Sequence, residues 1–255
     1  MVNKNIIKKI IHEAYTKCSN NHIPSNSYSW GARLPLKVKQ AIQQFKQKYC
    51  TLGKQSKIEH LEIYDDQGNT VYDKDGDNES VEWSILITSD IRKDTDKELN
   101  MVHNHPNGFF GIPVCFSKAD INSFLQKSTI DKDQFLFKTS SVVSANGSRM
   151  TITKNNKFTD DNIQNCNTTY DKLSMVYEKY LSDVHKTLMK IKTNTIDTDN
   201  IPNNNNLTES QNIELFLMHQ AIEEVGTFES RLKGIREEFN KANIEFSIEW
   251  EGETY

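Results

Sequence analysis

The sequence has no apolar run approaching the ~18 residues that a membrane-spanning helix needs, so no membrane partner is expected. It has no surplus of basic charge either. Lys and Arg total 31 against 35 Asp and Glu, a net charge of -4. Affinity obtained by neutralising phosphates requires the opposite balance, which argues against nucleic acid as a partner but leaves room for a local basic patch. Cysteines are few and scattered. Cys18, Cys50, Cys115 and Cys166 form no Cys-x-x-Cys pair, a poor start for a structural zinc site or a disulfide framework and the default of a reducing, cytoplasmic compartment. A zinc deaminase is excluded by the missing His-x-Glu and Cys-x-x-Cys. The first twelve residues lack both an uninterrupted apolar stretch and a small-residue cleavage site, so no secretory signal is expected.

What is present is enough apolar material for one core: 36% of 255 residues, the size of one large domain or of one domain with an appendage. The apolar spacing divides it in three. Residues 1–56 read as helical, with Ile6, Ile7, Ile10, Ile11, Ala14 and Tyr15 on one face and Val38, Ala41, Ile42 and Phe45 on another. From residue 57 the period changes. Ile58, His60, Glu62 and Tyr64 alternate with Glu59, Leu61 and Ile63, as in a strand, and Asp65 to Asn69 is a turn cluster. Strand-like stretches follow at 70–72, 81–88, 99–102, 135–137, 141–144 and 149–153, with a helix over 117–126. Residues 57–158 are therefore mixed α+β. Residues 159–255 read as a helical extension. Its first helix carries Ile163, Tyr170, Leu173, Val176, Tyr177, Tyr180, Leu181, Val184 and Leu188; a polar linker spans 193–207; a second long helix opens at the Thr208/Gln211 capping box and continues to about Phe239. These terminal helices could form a bundle, pack back on the centre, or meet a partner protein.

The chemistry concentrates in two short segments. Met101-Val102-His103-Asn104-His105-Pro106 places two histidines at i, i+2 at a strand end, on the same side, with a proline fixing the exit. Ser117-Lys118-Ala119-Asp120 then adds a carboxylate on the first turn of a helix. Two His and one Asp leave a fourth tetrahedral position open, the arrangement of a catalytic zinc ion. Ser117 and Asp120 are also an ordinary capping box, and both roles can coexist. Cys115 reads as a small buried residue and His60 as facing away from Glu59.

This pattern, a Glu-led strand followed by His-x-His-Pro and Ser-x-x-Asp, resembles the JAMM (MPN+) family of zinc metallopeptidases. His103-Asn104-His105-Pro106-Asn107-Gly108 is similar to the RadC-type branch and to JAMM-like domains of phage head proteins and polymorphic toxins. The resemblance covers about residues 57–154. It implies a JAMM/MPN-like fold with cytidine-deaminase-like α/β/α layering around a central mixed sheet. It also implies Zn2+ held by His103, His105 and Asp120, Ser117 stabilising an oxyanion, and an acid/base glutamate on the earlier strand. Glu59 fits that place by its distance to the Asp/Gly turn. Glu62, on the opposite strand face, is the alternative. One departure stands out: residues 106–119 separate His105 from Asp120, about four more than the family's usual spacing. Phe109 and Phe110 in that insertion are either a cleft wall or an anchor to the core.

The function these features imply is zinc-dependent hydrolysis of peptide or isopeptide bonds in a protein or peptide substrate, a ubiquitin-like tail among the options. The alternative from another class is a catalytically quiet JAMM-fold interaction module in a phage- or toxin-related assembly.

Overall fold

The computed structural model describes residues 34–51, 53–81, 98–106, 114–127, 137–144, 148–154, 160–193, 201, 205–226, 228–242 and 244–250. Six strands, β1 (His60–Tyr64), β2 (Thr70–Asp75), β3 (Leu99–Asn104), β4 (Phe137–Val143), β5 (Ser148–Lys154) and β6 (Ile244–Trp250), form one mixed sheet in the order β2-β1-β3-β4-β5-β6. Helices α1 (Leu36–Tyr49), α2 (Lys118–Lys127), α3 (Asp160–Lys192), α4 (Glu209–Val225) and α5 (Lys233–Lys241) accompany it. The first helix expected at the N-terminus, all but Val81 of the strand expected over 81–88, and the Phe109/Phe110 loop lie outside the described residues.

Only β3 and β4 run parallel, and such a pair needs a crossover, which α2 supplies. All other neighbours are antiparallel. β1 and β3 are buried along their whole length, because helices cover both faces of the sheet where they lie. On one face Leu61, Ile63, Leu99, Met101, Val142 and Met150 meet Phe124 of α2, Tyr180 of α3 and Phe239 of α5 in a single cluster. On the other, Tyr64, Val102 and Val143 meet Val38, Ala41, Ile42 and Phe45 of α1. Those four α1 positions follow the i, i+3, i+4, i+7 spacing that makes one helical face.

The C-terminal region is built into this body. Cys166, Tyr170, Leu173, Tyr180, Val184 and Leu188 line one side of the 33-residue α3 and enter the same cluster as the sheet. The expectation of an all-helical 159–255 is corrected at its end, where β6 adds a sixth strand against β5. The second long helix is also two. It stops at Val225, where Gly226 takes φ 86, and resumes as α5 after the short 3-10 turn Glu229–Arg231. A residue with a Cβ is strained at that φ, so the glycine is the break. The Thr208/Gln211 capping box is present in both directions. No described helix is long and apolar enough to cross a membrane.

Candidate metal centre

β3 carries His103 at its end, 4% exposed, on the face occupied by Leu61, its partner across the β1–β3 ladder. Two residues on, His105 lies just past the strand, and its backbone N–H donates to the Val143 carbonyl at 3.1 Å. The edge therefore stays pinned to β4 while both imidazoles reach the same side. α2 delivers the third group. Ser117 and Asp120 close its first turn reciprocally: the Ser117 N–H donates to Asp120 Oδ2 at 2.6 Å, and the Asp120 N–H to Ser117 Oγ at 3.2 Å. The cap holds the carboxylate in one orientation, with Oδ1 3.2 Å from His103 Nε2 and Oδ2 3.3 Å from His105 Nε2. The two Nε2 atoms stand 3.2 Å apart.

Among the described residues, His103, His105 and Asp120 are the group of three whose ligand atoms all lie within 4.8 Å of one another. The donor set fits a zinc ion. Two imidazole nitrogens and a carboxylate oxygen are each ordinary zinc ligands, they come from a strand end and a helix start, and their lone pairs converge on one point. Burial by itself would raise the Asp120 carboxyl, but His103 and His105 outweigh it and hold that group well below the usual carboxylate range. The phenyl ring of Phe116, tilted against His103 with centroids 6.3 Å apart, gives the centre an apolar wall.

Glu59 is buried immediately before β1 and shares the strand parity of Leu61 and Ile63, the face His103 occupies. Burial pushes its carboxyl up to about 7; the charge of His105 works against that rise and the charge of Asp120 adds to it, so the group lies within electrostatic reach of both. Glu62 belongs to the other face. Its carboxylate accepts from the Tyr64 hydroxyl at 2.8 Å and from Lys48 Nζ at 3.3 Å, on the α1 side. His60 is there too, stacked on Tyr49 with centroids 3.7 Å apart. Cys115 is buried and free, outside the convergent group, with its thiol pushed up by burial and then by Asp120.

Two contributors carried no signal in the sequence. Asn104, between the histidines, reaches β1 with its side-chain amide. Tyr170 of α3 donates from its hydroxyl to the Phe116 carbonyl at 3.3 Å, bracing the residue before Ser117. Tyr170 sits on the apolar stripe of α3, and periodicity gives no sign that its hydroxyl has a partner in a loop 54 residues away. Glu59, Ser117, His103, His105 and Asp120 thus come from three separate stretches of chain into one neighbourhood, with Ser117 at its exposed rim. No family model, curated protein or solved structure matches the chain.

Proposed function

We propose that this protein is a zinc-dependent hydrolase of peptide or isopeptide bonds, with the site arranged as in the JAMM/MPN+ family. The observation that carries the reading is the convergence of His103, His105 and Asp120 within 4.8 Å, beside a buried carboxyl poised near neutrality. Helices on both faces of a mixed sheet, with the histidine strand leading into the Asp120 helix, support the family arrangement.

His103 and His105 would offer Nε2 and Asp120 a carboxylate oxygen. A zinc ion held there supplies Lewis-acid polarisation of a carbonyl and a lowered pKa for water. Glu59, raised to about 7, changes protonation state in the range where a general base must both accept and return a proton. It takes the proton of the attacking water and delivers it to the leaving amine. Ser117 Oγ accepts from the Asp120 N–H, which leaves its own O–H to donate to the carbonyl oxygen as negative charge develops there.

The test joins metal analysis to turnover. The full chain, purified without chelator, is expected to contain about one zinc and to cleave members of a quenched-fluorescent library of peptides and isopeptide-linked peptides. Chelation should stop cleavage and zinc restore it. A chain that takes up no zinc overturns the metal centre. One that binds zinc and cleaves nothing in either class points to the quiet interaction module.

A further inference from the structure

Asn104 does for the sheet what the strand backbone no longer can. The β1–β3 ladder runs from Tyr64–Asn100 to Leu61–His103 and ends there. The His105 N–H faces the other way and bonds to Val143 on β4. Beyond the last pair the two peptide groups that flank Glu59 are tied to β3 by a side chain. Asn104 Oδ1 accepts from the His60 N–H at 2.7 Å, and its Nδ2 donates at 3.1 Å to the Ile58 carbonyl, which also accepts from Ser56 Oγ at 3.0 Å. Asn104 is 1% exposed, so water is no ready substitute. A primary amide is the side-chain group that offers donor and acceptor together in this fork.

The other flank of Glu59 is held by a turn. The Glu59 N–H donates to the Asp77 carbonyl at 2.6 Å, and the Gly76 N–H to the Glu59 carbonyl at 2.8 Å. Asp77 closes that turn by accepting from the N–H groups of Glu79 and Ser80, both at 2.8 Å. A Cβ on Gly76 would lie 2.2 Å from the Ser80 carbonyl oxygen, so only glycine fits. The Val81 N–H, next along, donates to the Glu59 carboxylate. Glu59 thus sits beyond the last ladder pair, gripped by the turn on one side and by Asn104 on the other.

We propose that Asn104 is a positioning residue for Glu59. It carries the β1–β3 register past the end of the ladder, so that the segment bearing the Glu59 carboxyl stays fixed relative to His103, His105 and Asp120. The two histidines and the clamp are consecutive residues, so the same turn of chain that presents the imidazoles also sets the distance to the acid/base group. This role rests on the proposed function of Glu59, and it is independent of substrate identity.

The experiment compares the full-length wild type with Asn104→Ala and Asn104→Asp by amide hydrogen exchange, zinc content and turnover of a library substrate. In Asn104→Ala, exchange at the His60 amide is expected to rise by about tenfold or more, while Leu61 and Ile63 hold. Zinc content should stay at the wild-type level. Turnover should fall mainly in kcat, and should fall little further when Glu59→Gln is added, because both changes disable the same group. Asn104→Asp keeps the Oδ1 acceptor, so His60 should remain protected and part of the turnover return; this variant also guards against misfolding of the alanine form. Unchanged His60 exchange in a folded Asn104→Ala overturns the clamp. Raised exchange with wild-type turnover overturns the positioning role. A wild type that binds zinc yet is indifferent to Glu59→Gln removes the Glu59 role and this one with it. A wild type without zinc fails at the metal centre itself, a different result from either.

Discussion

The two faces of the sheet hold the same buried chemistry and treat it in opposite ways. On the α1 face, His60 and Glu62 each have complementary partners. His60 lies between Asp75, 2.5 Å from Nδ1, and Ser56, 2.6 Å from Nε2, and Glu62 takes the Tyr64 hydroxyl and the Lys48 ammonium. There, donors meet acceptors. On the α2 face, His103, His105 and Asp120 aim their ligand atoms at one another, with Glu59 nearby. Two imidazoles and a carboxylate crowd a single point. Three ligand-type side chains from a strand end and a helix start within one coordination distance are informative where a chain of paired groups is not. Residue type alone does not mark a site; the convergence of ligand atoms does.

The largest effect that would sharpen this contrast is on metal uptake. Asp120→Ala or His103→Ala should abolish zinc binding, read by metal analysis, whereas His60→Ala should leave it intact. Zinc at a hundredfold excess over its dissociation constant should stabilise the wild type by about 2.7 kcal/mol, and the Asp120→Ala chain not at all. Equal zinc content in the His60 and Asp120 variants would break the comparison.

The two glutamates give the next test. Glu59→Gln should retain zinc and lose turnover by about 10²–10⁴-fold. Glu62→Gln should keep turnover and lose about 0.5–1.5 kcal/mol of stability in chemical denaturation, because the Tyr64 hydroxyl and Lys48 exchange a charged acceptor for a neutral one. A dead Glu62→Gln would place the acid/base group on the wrong face.

The pH dependence of the metal-free chain follows from Glu59. Its carboxyl is raised from 4.5 to about 7, chiefly by burial. Below 4.5 both the folded and unfolded chains keep that proton, and stability is unaffected. Between 4.5 and about 7 the unfolded chain ionises first, so stability falls as pH rises; above 7 the loss is complete and constant. Asp120, lowered instead, works in the reverse sense at acid pH, contributing stability that is lost as pH falls below its ordinary range. Denaturation of chelated protein at pH 5 and pH 8 should show the decline, and Glu59→Gln should remove it. A decline that survives the substitution assigns it to another group.

The smallest effect concerns the brace from α3. Tyr170→Phe removes the hydroxyl bond to the Phe116 carbonyl and should cost about 0.5–1.5 kcal/mol, seen as a modest drop in melting temperature with zinc content unchanged. A loss of zinc in this variant would mean that the α3 contact, and not the Ser117/Asp120 cap alone, aims the carboxylate.

Much of this was legible beforehand, wherever the signal was local. Val38, Ala41, Ile42 and Phe45 mark the buried face of α1, and the Thr208/Gln211 cap marks the start of α4. Two elements differ from what the local pattern predicts. The helix expected to run on to Phe239 ignored Gly226, whose positive φ ends α4. β6 falls in the stretch expected to be helical, although Ile244, Phe246, Ile248 and Trp250 alternate with Glu245, Ser247 and Glu249, a period-two pattern that marks a strand.

By itself, the sequence determined periodicities, caps and the i, i+2 spacing that puts His103 and His105 on one side. It also determined that Glu59 and Glu62 face oppositely, because all of these are set within a few residues by helix and strand geometry. Only the tertiary structure decided which glutamate faces the histidines, since that depends on which sheet face α1 covers and which receives α2. It alone brought Asp120 within 3.3 Å of both imidazoles and joined Asn104 to peptides 44 and 46 residues away. Such contacts depend on strand order and register, and no local preference of the chain encodes those.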